Sequence, residues 1–179
     1  MRFFRLQTKA APTTEPNAAF DQTFREYARG VFELGRRILG RADEADDLVQ
    51  DVFLKVYSSM HQLREPEKLR NWLMKIAVNR TKRQLLKRRL LRRLGLDVSH
   101  DYSDIADQGR VSPEDAAFLA QVYRILDRIP VNDQVAWCLH HVDGETLKDA
   151  ATLCGCSLAQ VKRRILAAQA RIQQEIGHA

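Results

Sequence analysis

The stretch Leu147-Lys148-Asp149-Ala150-Ala151-Thr152-Leu153-Cys154-Gly155-Cys156-Ser157-Leu158-Ala159-Gln160-Val161-Lys162-Arg163-Arg164-Ile165 holds two short amphipathic runs divided by a glycine corner. Leu147, Ala150, Ala151 and Cys154 recur at the three- and four-residue steps that gather apolar side chains on one face of a helix. Val161, Ile165, Ala168 and Ile172 repeat the pattern beyond Gly155-Cys156-Ser157. Glycine suits a tight, left-handed corner and Ser157 can cap the second run, so two helices are expected to meet at the steep angle of a helix-turn-helix. With Val161 and Ile165 turned inward, Gln160, Arg163, Leu166 and Ala167 turn outward, and Lys162 and Arg164 flank the buried stripe. Lys and Arg can bind phosphates or guanine edges and Gln can address adenine, so this face suits a DNA major groove. The bland alternative is a solvated basic face on a bundle helix.

Upstream of this stretch the apolar residues keep the helical period. Phe20, Phe24, Tyr27, Val31, Leu34 and Ile38 predict one helix, ended by Gly40. A second opens at Asp43, whose carboxylate can cap it, and buries Leu48, Val52, Phe53 and Val56. Residues from His61 to Arg70 break the pattern around Pro66 before Trp72, Leu73, Ile76 and Ala77 restart it. Leu119, Val122, Leu126 and Ile129 predict a helix stopped by Pro130, and Val135, Leu139 and Val142 another stopped near Gly144. No run alternates as a strand would, and there is no internal repeat.

Charge divides the chain as clearly as hydropathy does. Between Arg64 and Arg93 twelve Lys or Arg face two acids, a net of +10 in a chain whose formal net charge is +6, so everything else carries −4. Asp97, Asp101, Asp104, Asp107, Glu114 and Asp115 then reverse the sign, in a stretch without apolar period. The expected architecture is all-α, with two small helical domains joined by a flexible acidic linker and the helix-turn-helix in the second. Residues 1–17 read as a flexible tail, 18–94 as the first domain, 95–113 as the linker and 114–179 as the second domain.

Several function classes fall away. Cys138, Cys154 and Cys156 are an odd set without a secretory signal, which suits a reducing compartment. Neither the start of the chain nor any later run suggests a signal peptide or membrane insertion, so a cytoplasmic protein is expected. Cys154 and Cys156 with His140 and His141 lack the paired spacing of a structural zinc site, so buried thiols are expected and no metal or cofactor. There is no phosphate-cradling glycine loop and no nucleophile motif, so no enzyme is expected.

Two blocks carry a resemblance to a known family. Ala45-Asp46-Asp47-Leu48-Val49-Gln50-Asp51-Val52-Phe53-Leu54-Lys55-Val56-Tyr57, followed by Leu69-Arg70-Asn71-Trp72-Leu73-Met74-Lys75-Ile76-Ala77-Val78-Asn79-Arg80, resembles region two of RNA polymerase sigma factors of the sigma-70 superfamily. Gly155-Cys156-Ser157-Leu158-Ala159-Gln160-Val161-Lys162-Arg163-Arg164 resembles region four. The short linker and the lack of a third domain look like the extracytoplasmic-function subfamily. The resemblance implies a sigma factor that binds core RNA polymerase, melts promoter DNA and is held by an anti-sigma factor. It implies polymerase docking at Asp47, Gln50 and Asp51, although Asp46 and Asp47 also suit the start of their helix by its dipole. It implies that Arg64, Lys68, Asn71, Lys75, Asn79 and Lys82 handle the opened minus-ten element, where a polar pocket beside a cationic track is what single strands want. It implies minus-thirty-five contacts by Gln160, Lys162, Arg163, Arg164 and Leu166.

The departures matter too. Glu65-Pro66 stands where many members carry a glycine, and Ala167-Ala168-Gln169 where basic residues often continue, which implies weaker duplex binding. Trp72 suits the core as well as base stacking, and Trp137 a contact surface as well as a satellite core position. Arg88, Arg89, Arg92 and Arg93 are either a solvated helix end or a cluster awaiting phosphates. The competing reading is a conventional helix-turn-helix regulator that binds DNA without replacing sigma.

Overall fold

The computed structural model describes residues 16–63, 65–96 and 112–177. Most of the expected tail and linker, and Arg64, therefore lie outside the described residues. Within them the chain is all-helical, with seven α-helices and no strand.

Helix α1 (Pro16–Leu39) buries Val31, Leu34 and Ile38 as the spacing predicts. Phe24 stays 42% exposed, because its stripe turns from the core to an aromatic cluster. There it meets Phe53 at 4.8 Å, and Phe20 meets Tyr57 at 5.2 Å, both edge to face. Helix α2 (Ala42–Ser59) buries Leu48, Val52, Phe53 and Val56. Its cap differs from expectation. Arg41 is the N-cap residue and gives no side-chain cap, while Asp43 sits in the first turn and accepts a hydrogen bond from Arg41 Nε at 3.0 Å. That bond holds the Asp43 carboxyl below its ordinary range, and the charge still favours the positive end of the helix. The two helices approach closely at Gly35, where a Cβ would lie 2.7 Å from Leu48 Cδ2.

Two short 3-10 turns, Met60–Gln62 and Pro66–Lys68, lead into α3 (Leu69–Arg93). This long helix buries Leu73, Met74, Ala77, Val78, Thr81, Leu85 and Arg88 along one side. The other helices are α4 (Pro113–Leu126), α5 (Val131–Trp137), α6 (Leu147–Cys154) and α7 (Leu158–Ile176). Helix α4 is capped by Ser112, whose hydroxyl accepts from Asp115 N. It ends three residues before the apolar stripe does. Ile129 is buried from a turn, and Pro130 becomes the N-cap of α5. Helix α5 runs on into a π-turn (Cys138–Val142) that still buries Leu139.

The buried side chains of α1–α3 and α4–α7 form one continuous apolar cluster. Helix α3 is the seam, since it packs on α1 and α2 and also on α5 and α6.

Candidate nucleic-acid and partner interfaces

The helix-turn-helix forms as its residues dictate. Thr146 caps α6 by accepting from Asp149 N, and Ser157 caps α7 by accepting from Gln160 N at 3.2 Å. Between them Gly155 sits at φ 65° and ψ 40°, the left-handed region that a Cβ would strain. Val161, Ile165, Ala168 and Ile172 are all buried. On the opposite face Lys162, Arg163 and Leu166 are exposed, Leu166 at 69%, and Gln160 and Arg164 are half-exposed. Arg163 and Leu166 thus face outward, Lys162 flanks the buried stripe on one edge, and Gln160 and Arg164 lie towards the other. Asp133 lies close enough for Arg164 and Arg163 to pull its carboxyl down, yet burial outweighs them and raises it.

Asp47, Gln50 and Asp51 are exposed on α2 and line a groove of about 360 Å³ with Leu54, which is 69% exposed. The opposite wall is Arg80, Arg83, Gln84 and Lys87 of α3. Acid faces base across the groove beside an apolar tip, and the Gln84 side-chain oxygen has no hydrogen-bond partner among the described residues.

The minus-ten candidates divide. Lys68, Asn71 and Lys75 line one open pocket of about 600 Å³ with Leu63, Glu65 and Trp72. Lys68 Nζ is paired to Glu65 at 2.6 Å, so the Glu65-Pro66 departure supplies this lysine with a neighbour of opposite charge. Trp72 is half-buried against the core and also walls the pocket. Asn79 is exposed further along α3. Lys82 is engaged within the chain, its ammonium donating to the Cys154 carbonyl oxygen at 3.1 Å. The same pocket is closed on one side by Thr152 of α6.

Arg88 and Arg89 match neither sequence expectation, whereas Arg93 is exposed at the helix end. Arg88 is 5% exposed and donates to Glu44, to the Leu39 carbonyl and, at 2.7 Å, to Asp127. Arg92 shares Asp127 at 3.0 Å, and Arg89 donates to Gln134 Oε1 at 2.8 Å. Burial lowers the Arg89 guanidinium from its ordinary value against the opposing pull of Asp127. Carboxylates of the chain itself supply the counter-charge. Arg37 likewise pairs with Asp143, and Arg70 with Glu145 at 3.7 Å. Sequence reasoning missed these groups; the available signal was Arg88 falling on the same helical stripe as Thr81 and Leu85.

The cysteine expectation concerns chemistry rather than binding. Cys138 and Cys154 are buried, and burial raises both thiols above their ordinary value, which disfavours the thiolate a metal needs. Among the described residues no group of three His, Cys, Asp or Glu is placed to hold a metal ion. Trp137 donates to Gln169 Oε1 at 2.7 Å and stacks on His141, a contact within the C-terminal helices. Among the described residues, no helix is long and apolar enough to cross a membrane.

Comparison with known proteins gives similarities to one family. The family profile for sigma-70 region 2 matches residues 23–91. The ECF RNA polymerase sigma factor SigM of Mycobacterium tuberculosis strain H37Rv is 28% identical over 171 residues, covering 94% of this chain and 83% of its own. The RNA polymerase sigma-H factor of Pseudomonas aeruginosa is 27% identical over 167 residues, covering 88% and 86%. Among solved structures, the fold resembles the sigma factor RpoE of Bartonella quintana, solved with the anti-sigma factor NepR. The TM-score is 0.62 at 24% identity, over 88% of this chain and 96% of that one.

Proposed function

We propose that this chain is a sigma factor of the sigma-70 family, in its extracytoplasmic-function group, with a division of labour among its surfaces. The match to sigma-70 region 2 over residues 23–91 and the similarity to curated ECF sigma factors support this reading. A sigma factor directs RNA polymerase in promoter recognition and is itself not an enzyme. The groove of Asp47, Gln50 and Asp51 docks on core polymerase, with acid and an apolar tip offered together. The pocket of Lys68, Asn71, Trp72 and Lys75 takes an unstacked base of the opened minus-ten element, with Asn79 continuing the track along α3. Arg64 and Lys82 complete that set. Gln160, Lys162, Arg163, Arg164 and Leu166 read the minus-thirty-five duplex in its major groove.

The observation that carries this reading is that one chain combines two different basic surfaces. It has a basic recognition-helix face suited to duplex DNA, and an aromatic-walled pocket beside lysines suited to a single strand. A regulator of intact duplex has no use for the second. In this reading residues 18–94 and 114–179 work as two domains, joined by the acidic residues between them. An anti-sigma partner completes the set, as the Bartonella quintana relative has one.

Gel filtration with core RNA polymerase, alongside duplex binding without it, tests the proposal. Co-elution with core polymerase and weak binding to duplex alone is the expected result. Tight operator binding with no polymerase association would instead identify a conventional helix-turn-helix regulator.

A further inference from the structure

The corner of the helix-turn-helix carries a pair of thiols that neither duplex binding nor polymerase docking uses. Cys154 closes α6 and is 8% exposed, and Cys156 is half-buried one residue beyond the glycine. Both pack against the same apolar cluster, so their side chains leave the corner on its inner side. Gly155, at φ 65° and ψ 40°, folds the chain as tightly as a helical residue does. Two residues so joined have Cα atoms about 5.5 Å apart, inside the usual span of a disulfide. Both are free thiols.

Their surroundings are cationic. The Lys82 ammonium donates to the Cys154 carbonyl oxygen at 3.1 Å, and Lys75 Cε would lie 3.8 Å from a Cβ on Gly155. Cys156 also stands just ahead of the Ser157 cap, at the positive end of α7. Partly exposed thiols in electropositive surroundings are the ones that reduce peroxides. Burial holds the Cys154 thiol above its ordinary value and Cys156 adds to this, against the pull of Lys82 and Arg164. Cys154 therefore stays protonated, and Cys156 is the sulfur within reach of solvent.

We propose that Cys154 and Cys156 are a peroxide-reactive dithiol, which closes to a disulfide across Gly155 and resets the angle at which α6 presents α7. In the first step the Cys156 sulfur attacks one oxygen of hydrogen peroxide, the O–O bond breaks, and a sulfenic acid and one water result. In the second the Cys154 sulfur attacks the sulfenic sulfur, the S–S bond forms as the S–O bond breaks, and the Cys154 proton leaves with the hydroxyl as a second water. Two thiols are oxidised and one peroxide is reduced. The bridge pulls on the hydrogen bonds that hold the corner, in which the Gly155 and Cys156 amides donate to the Thr152 and Ala151 carbonyls at 3.2 and 3.0 Å. The Cys154 sulfur also turns from its buried seat to meet its partner. The effect on duplex binding rests on the assignment of α7 to DNA; the disulfide itself does not.

The reduced full chain is treated with hydrogen peroxide, blocked with iodoacetamide in denaturant and digested with trypsin, which releases residues 149–162 with both thiols and without Cys138. This peptide is expected to be two hydrogens lighter than its reduced form, unalkylated, and restored by dithiothreitol. Fluorescence anisotropy with a labelled DNA duplex of mixed sequence, at low ionic strength, is expected to show oxidation weakening binding reversibly by roughly three- to tenfold. Cys154→Ala stops the reaction at a Cys156 sulfenic acid that dimedone traps, and its duplex binding responds less to peroxide than that of wild type. Cys156→Ser, which leaves only the buried member of the pair, gives neither product and serves if Cys154→Ala proves unfolded by circular dichroism. Peroxide that leaves residues 149–162 reduced, that links two chains on a non-reducing gel, or that weakens wild type and Cys156→Ser alike overturns the proposal. A disulfide that forms while the duplex binding of the reduced chain is unmoved overturns the resetting of the helix angle. A reduced chain that binds no duplex, yet closes the disulfide, sinks the DNA assignment of α7 alone.

Discussion

Arg88 and Asp127 meet at 2.7 Å with side chains only 5% and 7% exposed, and the second carboxylate oxygen of Asp127 goes to Arg92 at 3.0 Å. This one anion lets the arginine-rich end of α3 exist without phosphates. The Arg88 guanidinium is also held by Glu44 and by the carbonyl that ends α1, so it joins all three N-terminal helices to α4. A charge so deeply set is costly to leave alone.

Removing Asp127 should therefore cost far more than removing a surface anion. Asp127→Ala is expected to lower the stability of the packed form by about 3–5 kcal/mol, the usual cost of leaving a buried partner uncompensated. Arg128→Ala breaks only the exposed pair to Glu175 and should cost under about 1 kcal/mol. Urea unfolding midpoints of the two variants measure the contrast.

Gly155 is the one corner residue whose backbone excludes a side chain. Gly155→Ala forces a Cβ into the left-handed region and should cost about 1–2 kcal/mol, read as a lower thermal midpoint. Gly155→Asn, which tolerates that region better, should lose less.

The surfaces should separate by mutation. Lys162→Ala and Arg163→Ala are expected to weaken promoter duplex binding and to reduce the slope of log affinity against log salt by about 0.9 for each lost phosphate contact. Gln50→Ala and Asp51→Ala should weaken core-polymerase association instead. Titrations of each variant against both partners check this; four variants with one common phenotype would contradict separate surfaces.

Glu145 gives a pH dependence with a definite sign. Burial and the nearby Asp143 raise its carboxyl above the ordinary value, although Arg70 pulls it down. The folded chain therefore holds that proton more tightly than the unfolded chain does. Its contribution to stability is fully present below the ordinary carboxylate pKa and is lost as pH rises through the raised value. Glu145→Gln removes the loss, so the stability of wild type relative to the variant should fall across the mildly acidic range, as urea midpoints taken at several pH values would reveal.

How much of this was legible beforehand depends on the range of the interaction. The stripe Val161, Ile165, Ala168 and Ile172 and the cap at Ser157 are decided within a few residues, so periodicity finds them. The end of α4 was misplaced because burial does not require a helix: Ile129 reaches the core from a turn. The charge of Lys82 is visible in the sequence, whereas its partner carbonyl lies 72 residues away. Arg88 sits on an apolar stripe, but its partner Asp127 is 39 residues distant, beyond any local pattern. Lys68, Asn71 and Lys75 converge as expected because they share one helical face and the turn before it.

Run-off transcription with purified core RNA polymerase, this chain and a library of genomic fragments tests the central claim most directly. The account predicts discrete transcripts that appear only when the chain is added and that start downstream of a shared pair of sequence elements. Core polymerase that associates with the chain yet initiates nowhere, or initiates at the same positions without it, would contradict the account.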